Sequence, residues 1–384
     1  MSITLNGTTG ITSPAITSDV TGAINGFTPQ ASNMQPFNRI INGAMTVDQR
    51  NAGASYSQIN GGYSLDRWNG TSFTGGVTTG KYTVQQNAGS VTPPVGFTKY
   101  LGVTSSTALA SNAGDIYTIG QPIEGFNLAD LAWGTANAKP VTLSFWVRSS
   151  ATGTFGGSFR NNTSGNYNYI FSYIINSANT WEYKTIYTSG ATSGAWPTGN
   201  TGPLQIMFQL QVGSTYTDTA GTWSTTAYGA TGCVDLLNTS GATFYITGVQ
   251  LEVGSTASPF AHENVGDTLR KCQRYYWQLP PSSSYASNMP MISAGQAWSS
   301  TNAANFTATF PVTMRASPTL FQSGLRIYSP NIGARTGSIT LQNSNAPHGS
   351  NLQISGVSSL SGGQMWYIVG SGNATDYIGF GAEL

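Results

Sequence analysis

The sequence predicts a mostly β protein, and three observations support this fold class. Gly, Tyr and Trp number 47, 19 and 9 in the 384 residues, beside abundant Ser, Thr and Asn. Aromatic and β-branched side chains suit pleated sheets, whereas Gly and Asn suit turns. Short runs of alternating apolar and polar residues recur between turn-forming clusters, which is the spacing of a β-sandwich. The hydrophobic content of 39% supplies material for real cores.

The charge balance excludes several classes of function. The chain has 15 basic and 14 acidic residues and a formal net charge of +1. The sequence has no sizeable run of like charges. The surface therefore lacks the basic patch that is typical of proteins that bind nucleic acids or anionic membranes. The N-terminal sequence MSITLNGTTG lacks the basic and apolar regions of a signal peptide, and no stretch approaches the length of a membrane span. We therefore expect synthesis in a cytoplasm without Sec-type export, no nucleic-acid partner and no membrane insertion.

Residues 1–36 are too polar to fold alone. Thr, Ser, Gly, Asn and Ala dominate this segment, and Phe27 is its one aromatic residue. Such a segment cannot bury enough apolar surface to form a core. Two interpretations stay open at this point. It is either a disordered leader or an extended tether that becomes ordered by pairing with a partner or with sister chains.

Residues 37–261 predict the first folded domain, a β-sandwich with short strands at regular spacing. In the run 141–148, Val141, Leu143, Phe145 and Val147 share one face, and Trp146 and Arg148 lie on the other. The run 204–212 alternates in the same way, and we expect each strand to present its polar face to solvent or ligand. A short helix is predicted at 125–133. The predicted strands are 81–86, 99–104, 115–119, 141–148, 169–175, 181–187, 204–212 and 242–253.

Residues 262–279 predict a helical neck. Val265, Leu269, Cys272 and Tyr276 recur at the 4, 3, 4 spacing of one helix face. Asn264 suits the N-cap position, and Asp267 and Lys271 are spaced for an i, i+4 ion pair. Because so short a helix is unstable alone, the stripe must be buried against its own domains or against sister chains. We expect the latter, so that Leu269→Asp yields monomers.

Residues 280–384 predict a second, smaller β domain, which we expect to be a β-sandwich. It begins with a Pro- and Ser-rich linker that resists regular structure, and its length of about 100 residues is typical of a domain. The predicted strands are 291–298, 305–309, 319–328, 337–342, 365–369 and 375–380.

Five segments together resemble tail-fibre and minor structural proteins of tailed bacteriophages: ITLNGTTGITSP (3–14), FNRIINGAMTVDQR (37–50), LDRW (65–68), FYITGVQLEVGSTASPF (244–260) and RKCQRYY (270–276). The resemblance implies a virion tail fibre made in the host cytoplasm. It also implies a homotrimer that attaches through residues 1–36 to other phage tail or virion proteins, with a distal receptor-binding domain at 280–384.

The middle of the first domain is similar to jelly-roll carbohydrate-binding modules. The segments that carry this similarity are VTLSFWVRSS (141–150), WEY (181–183), LQIMFQLQVG (204–213) and CVDLL (233–237). In that family a concave sheet face or an end loop cradles sugar, which implies a host cell-surface glycan as ligand. Two alternatives remain: a polysaccharide-degrading tailspike enzyme, or a purely structural head or collar fibre.

Candidate glycan-binding residues are aromatic and amide side chains on exposed surfaces, because flat rings cover pyranose faces and polar groups bond the ring alcohols. For Trp146 the alternative is burial at a subunit interface or under a loop, and for the aromatic group around Trp181 it is a structural anchor. The candidates are Trp146, Arg148, Trp181 and Tyr183 in the first domain, and Tyr328, Asn331, Asn343 and His348 in the C-terminal domain.

The sequence offers little for catalysis or metal binding, so we expect no enzyme. His262 and His348 stand alone, without a Ser/His/Asp pattern. The resemblance to sugar-binding jelly rolls implies a structural calcium, for which Asp235 and Glu252 would supply oxygen ligands. The alternative is that these two carboxylates only accept hydrogen bonds. Cys233 and Cys272 are the only cysteines, and we expect two buried free thiols and no other cofactor.

Overall fold

A computed structural model describes residues 38–73, 80–163, 167–279, 294–297, 299, 303–342, 346–371 and 376–384. It confirms the mostly β fold class. Within these ranges, α-helix is confined to one nine-residue segment. The tether predicted at 1–36 and the candidate ligand residue Asn343 lie outside the described residues.

Fifteen strands precede the helix. They are β1 (Tyr56–Ser57), β2 (Tyr63–Leu65), β3 (Trp68–Phe73), β4 (Tyr82–Gln86), β5 (Leu101–Ser105), β6 (Ile116–Ile123), β7 (Val141–Ser149), β8 (Gly153–Asn161), β9 (Asn168–Ile175), β10 (Glu182–Thr188), β11 (Leu204–Val212), β12 (Thr217–Asp218), β13 (Trp223–Ser224), β14 (Gly229–Ala230) and β15 (Thr243–Val253).

Thirteen of these strands form the two sheets of a sandwich. One sheet has the order β1-β4-β5-β15-β7-β10, and the other has the order β13-β9-β8-β11-β6-β3-β2. The sheets meet through an aromatic core in which the rings of Phe145 and Phe208 lie 5.0 Å apart and those of Phe155 and Phe244 lie 6.0 Å apart. Neighbouring strands in both sheets are antiparallel.

The predicted alternation holds on the inward faces and fails on parts of the outward ones, since Thr142 and Ser144 of β7 are also buried. In β7, Val141, Leu143, Phe145 and Val147 are fully buried. In β11, however, all nine residues are buried, so little of the polar face is open to solvent. The segment after β11 covers it: Gln209 Oε1 accepts a hydrogen bond of 2.9 Å from the backbone N–H of Ala230.

The helix predicted at 125–133 is two 3₁₀ turns instead, Gly125–Asn127 and Ala129–Leu131. Other 3₁₀ turns lie at Ala88–Ser90, Ser214–Tyr216 and Leu236–Asn238. Leu128 and Leu131 pack into the core as expected, while Phe126 is 63% exposed. Ala132 has a left-handed backbone, which stops a longer helix.

The neck contains one helix, α1 (Val265–Gln273), whose N-cap is Asn264 as predicted: its side chain accepts a 2.8 Å hydrogen bond from the Gly266 N–H. The predicted pair of Asp267 with Lys271 is wrong. Lys271 pairs with Glu263, and Asp267 lies 3.6 Å from Arg270.

The predicted helix stripe ends early. Tyr276 lies in a strand, where it pairs with Gly381 near the end of the chain. Tyr276 and Cys272 are buried against their own chain, Leu269 is half-buried and Val265 is 59% exposed. Burial of the C-terminal half of the stripe is therefore intramolecular, and Val265 is its exposed member.

Ten strands follow the helix: β16 (Tyr276–Leu279), β17 (Ala294–Gln296), β18 (Ala303–Thr309), β19 (Thr319–Ser323), β20 (Leu325–Ser329), β21 (Gly333–Arg335), β22 (Ser338–Leu341), β23 (Gly349–Ser355), β24 (Met365–Gly370) and β25 (Tyr377–Gly381). They form sheets β16-β25-β19, β17-β24-β20-β21 and β18-β23-β22 around a second core that includes Phe306, Trp366 and Phe380. The single strand predicted at 319–328 is two strands, because Gly324 has a φ of 63°.

Both cysteines are free thiols. Cys272 is buried as predicted, whereas Cys233 is only partly buried. Burial raises the pKa of the Cys233 thiol to about 12, so it is uncharged at neutral pH. Among the described residues, no helix is long and apolar enough to cross a membrane.

Candidate functional site

The outward surface of β7, β10 and β15 carries the predicted residues of the first domain. Since the odd residues of β7 point into the core, Trp146 and Arg148 point away from it. The cross-strand partner of Trp146 on β10 is Tyr183, and its partner on β15 is Thr247. We call the open part of this surface, formed by β7 and β10, the outer face.

Trp146 and Tyr183 form an aromatic pair on the outer face. Their ring centroids lie 5.4 Å apart with an interplanar angle of 53°. Tyr183 is 44% exposed and Tyr187, four residues further along the same face of β10, is 48% exposed. Because sheet backbones are rigid, the two strands hold these rings as a fixed apolar platform in contact with solvent.

A chain of ring contacts fixes the platform at its other end. The guanidinium of Arg148 lies 5.3 Å from the centroid of Tyr245, and Tyr245 lies 5.1 Å from Tyr100. Tyr100 in turn meets Trp181 edge to face at 5.6 Å. The structure thus brings the four predicted residues Trp146, Arg148, Trp181 and Tyr183 to one surface.

Hydrogen bonds orient the polar ends of these side chains. Arg148 Nε donates to the carbonyl of Asn179 at 2.9 Å, and the indole N–H of Trp181 donates to the carbonyl of Thr92 at 2.9 Å. The remaining N–H groups of Arg148 project from a half-exposed side chain. Such a guanidinium offers donors to hydroxyl groups placed over the rings.

The neighbouring part of the sheet is closed. Thr247 Oγ1 donates to the carbonyl of Lys99 at 2.7 Å, and Gln250 accepts from the Ala261 N–H at 2.8 Å. Segments from 94–100 and 255–262 therefore cover β15. The platform ends where these segments begin, which confines an extended ligand to β7 and β10.

Glu182 at the start of β10 is unsuited to proton transfer. Burial opposes its ionisation, but Lys184, the Ser177 N–H and Asn176 all donate to it and hold its pKa at about 2. The carboxylate is therefore ionised and fully engaged at neutral pH. A general acid needs a pKa near the working pH.

Asp235 and Glu252 lie in separate surroundings. Glu252 is buried and accepts hydrogen bonds from the Ser258 N–H at 2.9 Å, the Ser258 hydroxyl at 2.6 Å and Gln250 at 2.9 Å. Burial raises the pKa of Asp235, opposed by a hydrogen bond from Ser111. Within the described ranges, no group of three or more His, Cys, Asp and Glu side chains is placed to hold a metal ion.

The candidate residues of the C-terminal domain are divided between two sheets. Tyr328 and Asn331 belong to the hairpin of β20 and β21, where Tyr328 pairs with Ala334. His348 lies in the turn that leads into β23, and its Nδ1 is 3.2 Å from Thr313 Oγ1. The two groups thus belong to different sheets of the domain.

The structure also shows a groove that sequence reasoning missed, on the outward side of β3, β8 and β11. Its volume is about 410 Å³, and Asn69, Arg160, Gln205 and Tyr228 are among its lining residues. Gln205 donates to Asn69 at 3.0 Å, and Arg160 lies 4.6 Å from the Tyr228 ring centroid. The alternation of 204–212 placed Gln205 outward, but nothing local indicated that Tyr228 returns to meet it.

Comparison with known proteins finds no matching family model and no matching curated protein. Solved structures similar to the chain include the enzymatically active domain of tailspike protein 4 of bacteriophage CBA120. The identity is 13% and the TM-score 0.31, with 56% of this chain and 21% of the tailspike domain covered. The chain thus spans about a fifth of that domain's length.

Two carbohydrate-binding modules are also similar. TmCBM61, solved with β-1,4-galactotriose, is 11% identical at a TM-score of 0.28, with 56% of this chain and 99% of the module covered. The family 11 module of Clostridium thermocellum, solved with a mixed-linked tetrasaccharide, is 13% identical at 0.27, with 54% and 99% covered. All three TM-scores are below 0.5.

Proposed function

We propose that the chain is a non-catalytic glycan-binding protein and that the outer face of its sandwich is the binding surface. The observation that carries the proposal is the pair formed by the half-buried Trp146 and the exposed Tyr183 on adjacent strands. Exposed aromatic rings held on a rigid sheet match the apolar faces of pyranose rings, and Arg148 and Thr185 beside them supply polar groups for the sugar hydroxyls.

The preferred ligand is an uncharged polysaccharide. The chain carries a net charge of +1, and the one cation on the platform, Arg148, already lies over Tyr245 and donates to Asn179. A strongly acidic glycan would require several free cations, since phosphate and carboxylate recognition depends on clustered Arg and Lys.

We place this activity in a bacteriophage virion, as a tail fibre or receptor-binding protein that recognises a host surface glycan. The sequence resemblance of the segments at 3–14, 37–50 and 244–260 supports this context. In this proposal residues 1–36 attach the chain to other virion proteins, the chain is a homotrimer, and the C-terminal domain contributes to receptor binding. The structural calcium ion implied at Asp235 and Glu252 stays a separate proposal, supported by the sequence resemblance alone.

A glycan array probed with purified full-length protein tests the binding function. The decisive variant is Trp146→Ala/Tyr183→Ala, and the matched control is Phe126→Ala, which removes an exposed aromatic ring elsewhere. We expect wild type and control to bind the same neutral glycans and the double variant to lose them. Array signals that are equal in all three proteins would refute the outer face as the binding surface.

A reducing-sugar assay on the bound glycans separates binding from hydrolysis. We expect no new reducing ends. Release of sugar ends would replace the proposal with the alternative of a polysaccharide-degrading tailspike enzyme, and failure of the wild-type protein to bind any glycan would favour a purely structural fibre.

A further inference from the structure

A cleft between the sandwich and the C-terminal domain is separate from the outer face. Its volume is about 680 Å³, within the range of roughly 300–1,000 Å³ typical of small-ligand sites. Tyr56 and Tyr63 line one wall from the sandwich, and Tyr276, Phe321 and Tyr377 line the other from the sheet of β16, β25 and β19. We call this space the interdomain cleft.

Four aromatic side chains of the interdomain cleft are at least partly accessible to a ligand, whereas Tyr276 is buried. Phe321 is 42% exposed, although its ring lies against Tyr276 with centroids 6.1 Å apart. Tyr56, Tyr63 and Tyr377 are each half-buried. Phe321 lies on β19, a strand that also packs against the second core, so this much exposure is unexpected for its apolar side chain. The cleft thus offers rings on both walls for a flat apolar ligand face.

Arg50 stands between the two walls. Its guanidinium carbon lies 3.4 Å from the Tyr276 ring centroid and 5.4 Å from that of Tyr63, and Nη2 pairs with Glu383 at 2.7 Å. Arg50 Nε is buried and has no hydrogen-bond partner among the described residues. A buried donor without a partner is costly, so a ligand oxygen at this position would be stabilising.

Each charged side chain that lines the cleft already has protein partners. Glu383 accepts from Arg50 and also from the buried Arg67. Arg315, the other cation of the lining, donates all three of its nitrogens to the backbone carbonyls of Asn200, Ala382 and Glu383. An anion would face the Glu383 carboxylate and a cation would face Arg50. The chemistry therefore favours an uncharged ligand that has hydroxyl groups and an apolar face.

We propose that the interdomain cleft is a second saccharide-binding site, which takes one or two neutral sugar residues between Tyr56 and Phe321 with a hydroxyl on Arg50. The cleft would bind the same class of ligand as the outer face of the proposed function, but it uses none of the outer-face residues. Because its walls come from both domains, a bound sugar contacts the sandwich and the C-terminal domain at once. Binding would then raise the stability of their junction by mass action.

A factorial glycan array tests the proposal, with the full-length protein as wild type, Phe321→Ala, Tyr56→Ala and Trp146→Ala/Tyr183→Ala. Phe126→Ala serves again as the control for loss of an exposed ring. Phe321 and Tyr56 come from opposite walls, and both are accessible, so their truncation leaves the cores intact. Thermal unfolding of each variant verifies folding before the array is probed with neutral oligosaccharides.

We expect a set of glycans whose signal survives in the outer-face variant and falls roughly tenfold in both Phe321→Ala and Tyr56→Ala, as for loss of one stacked ring. If every signal depends on the outer face alone, the cleft proposal is wrong and the proposed function stands. If every signal depends on the cleft alone, the outer-face proposal is wrong and the cleft proposal stands. Absence of any wild-type signal contradicts both.

Discussion

Arg67 is a buried guanidinium that joins the sandwich to the end of the chain. It pairs with Glu383, donates to the carbonyl of Pro122 at 2.6 Å and lies 3.6 Å from the centroid of Tyr275. Its side chain is 1% exposed and that of Glu383 is 13% exposed. A buried ion pair contributes little net stability when intact, but removal of one partner leaves an uncompensated charge.

Glu383→Ala is therefore expected to destabilise the protein by about 3 kcal/mol, because Arg67 stays buried without its carboxylate. Urea unfolding at pH 7 measures the free energy. The control is Asp267→Ala, which breaks the exposed 3.6 Å contact with Arg270 and should change stability by less than about 0.5 kcal/mol. Equal effects of the two substitutions would contradict the role assigned to the buried pair.

Asp66 should make stability depend on pH. Burial raises its pKa from 3.8 to about 6, although the Gln49 N–H and side chain both donate to it. The folded state therefore binds a proton more tightly than the unfolded chain does. The contribution favours folding below about pH 4 and is lost as the pH rises through about 6, with a magnitude on the order of 3 kcal/mol.

Asp66→Asn removes this titration. Urea unfolding from pH 4 to pH 7 measures the unfolding free energy of both proteins. The stability of the wild type relative to the variant should fall as the pH rises to about 6 and then become constant. Because both proteins contain the other carboxylates, such as Glu124, whose pKa is lowered, their contribution to the pH dependence cancels in this difference. A difference that is constant with pH would show that folding does not change the pKa of Asp66.

At the scale of residues, sequence alone predicted the outer-face candidates. Alternation about Val141 and Phe145 placed Trp146 and Arg148 on one face, because the period of a strand is two. The same reasoning could not pair Trp146 with Tyr183, since that contact depends on the register of β7 and β10. It also missed Arg50, Phe321 and the cleft, whose walls are more than two hundred residues apart in sequence.

At the scale of elements, β15 carries an irregularity that shapes the sheet. Its register with β7 shifts between Thr247 and Gln250, and Gly248 has a φ of 61°. A Cβ at Gly248 would lie 2.6 Å from the ring of Phe97. The position therefore requires glycine for both backbone and space.

Gly248→Ala should lower stability by roughly 2–3 kcal/mol through strain and a clash with Phe97. The matched control is Gly241→Ala, where φ is 78° but no atom lies within 4 Å of the added Cβ. The control should show the backbone cost alone, about 1 kcal/mol. Urea unfolding compares them, and a control as costly as Gly248→Ala would remove the steric explanation.

The helix α1 gives the test of assembly. Val265 is 59% exposed at the first position of the helix, so Val265→Asp should leave the monomer folded, and a negative charge there suits the helix dipole. If the proposed trimer forms through this helix, light scattering should show the mass fall from three chains to one. Val95→Asp, at a fully exposed residue outside the helix, is the control. An unchanged mass would contradict helix-mediated assembly.

The elements that sequence missed have physical reasons. Gly156 and Gly157 make the β8 segment look like a turn, yet a Cβ at Gly157 would lie 2.0 Å from the carbonyl of Met207, so close packing requires glycine in this strand. The helical spacing continued to Tyr276, but pairing with Gly381 at the far end of the chain decides its structure. Local patterns contain no information about such long-range contacts.

At the scale of the whole molecule, the two cores are joined by a continuous set of polar contacts. Glu124 of the sandwich accepts from Arg274 at 2.6 Å and from the Tyr275 hydroxyl at 2.6 Å. Gln49 donates to the carbonyl of Tyr276 at 2.8 Å, and the Tyr63 hydroxyl donates to that of Leu384 at 2.8 Å. The neck thus fixes the C-terminal domain to the sandwich, and both proposed sugar sites lie on one connected framework.

In the proposed function, the platform of Trp146 and Tyr183 binds a neutral glycan. Isothermal titration of the glycan with the strongest array signal into wild type, Trp146→Ala/Tyr183→Ala and Phe126→Ala measures this binding. Loss of two stacked rings should weaken the affinity of the double variant roughly 100-fold, while the control binds as wild type does. A double variant that retains wild-type affinity would contradict the claim.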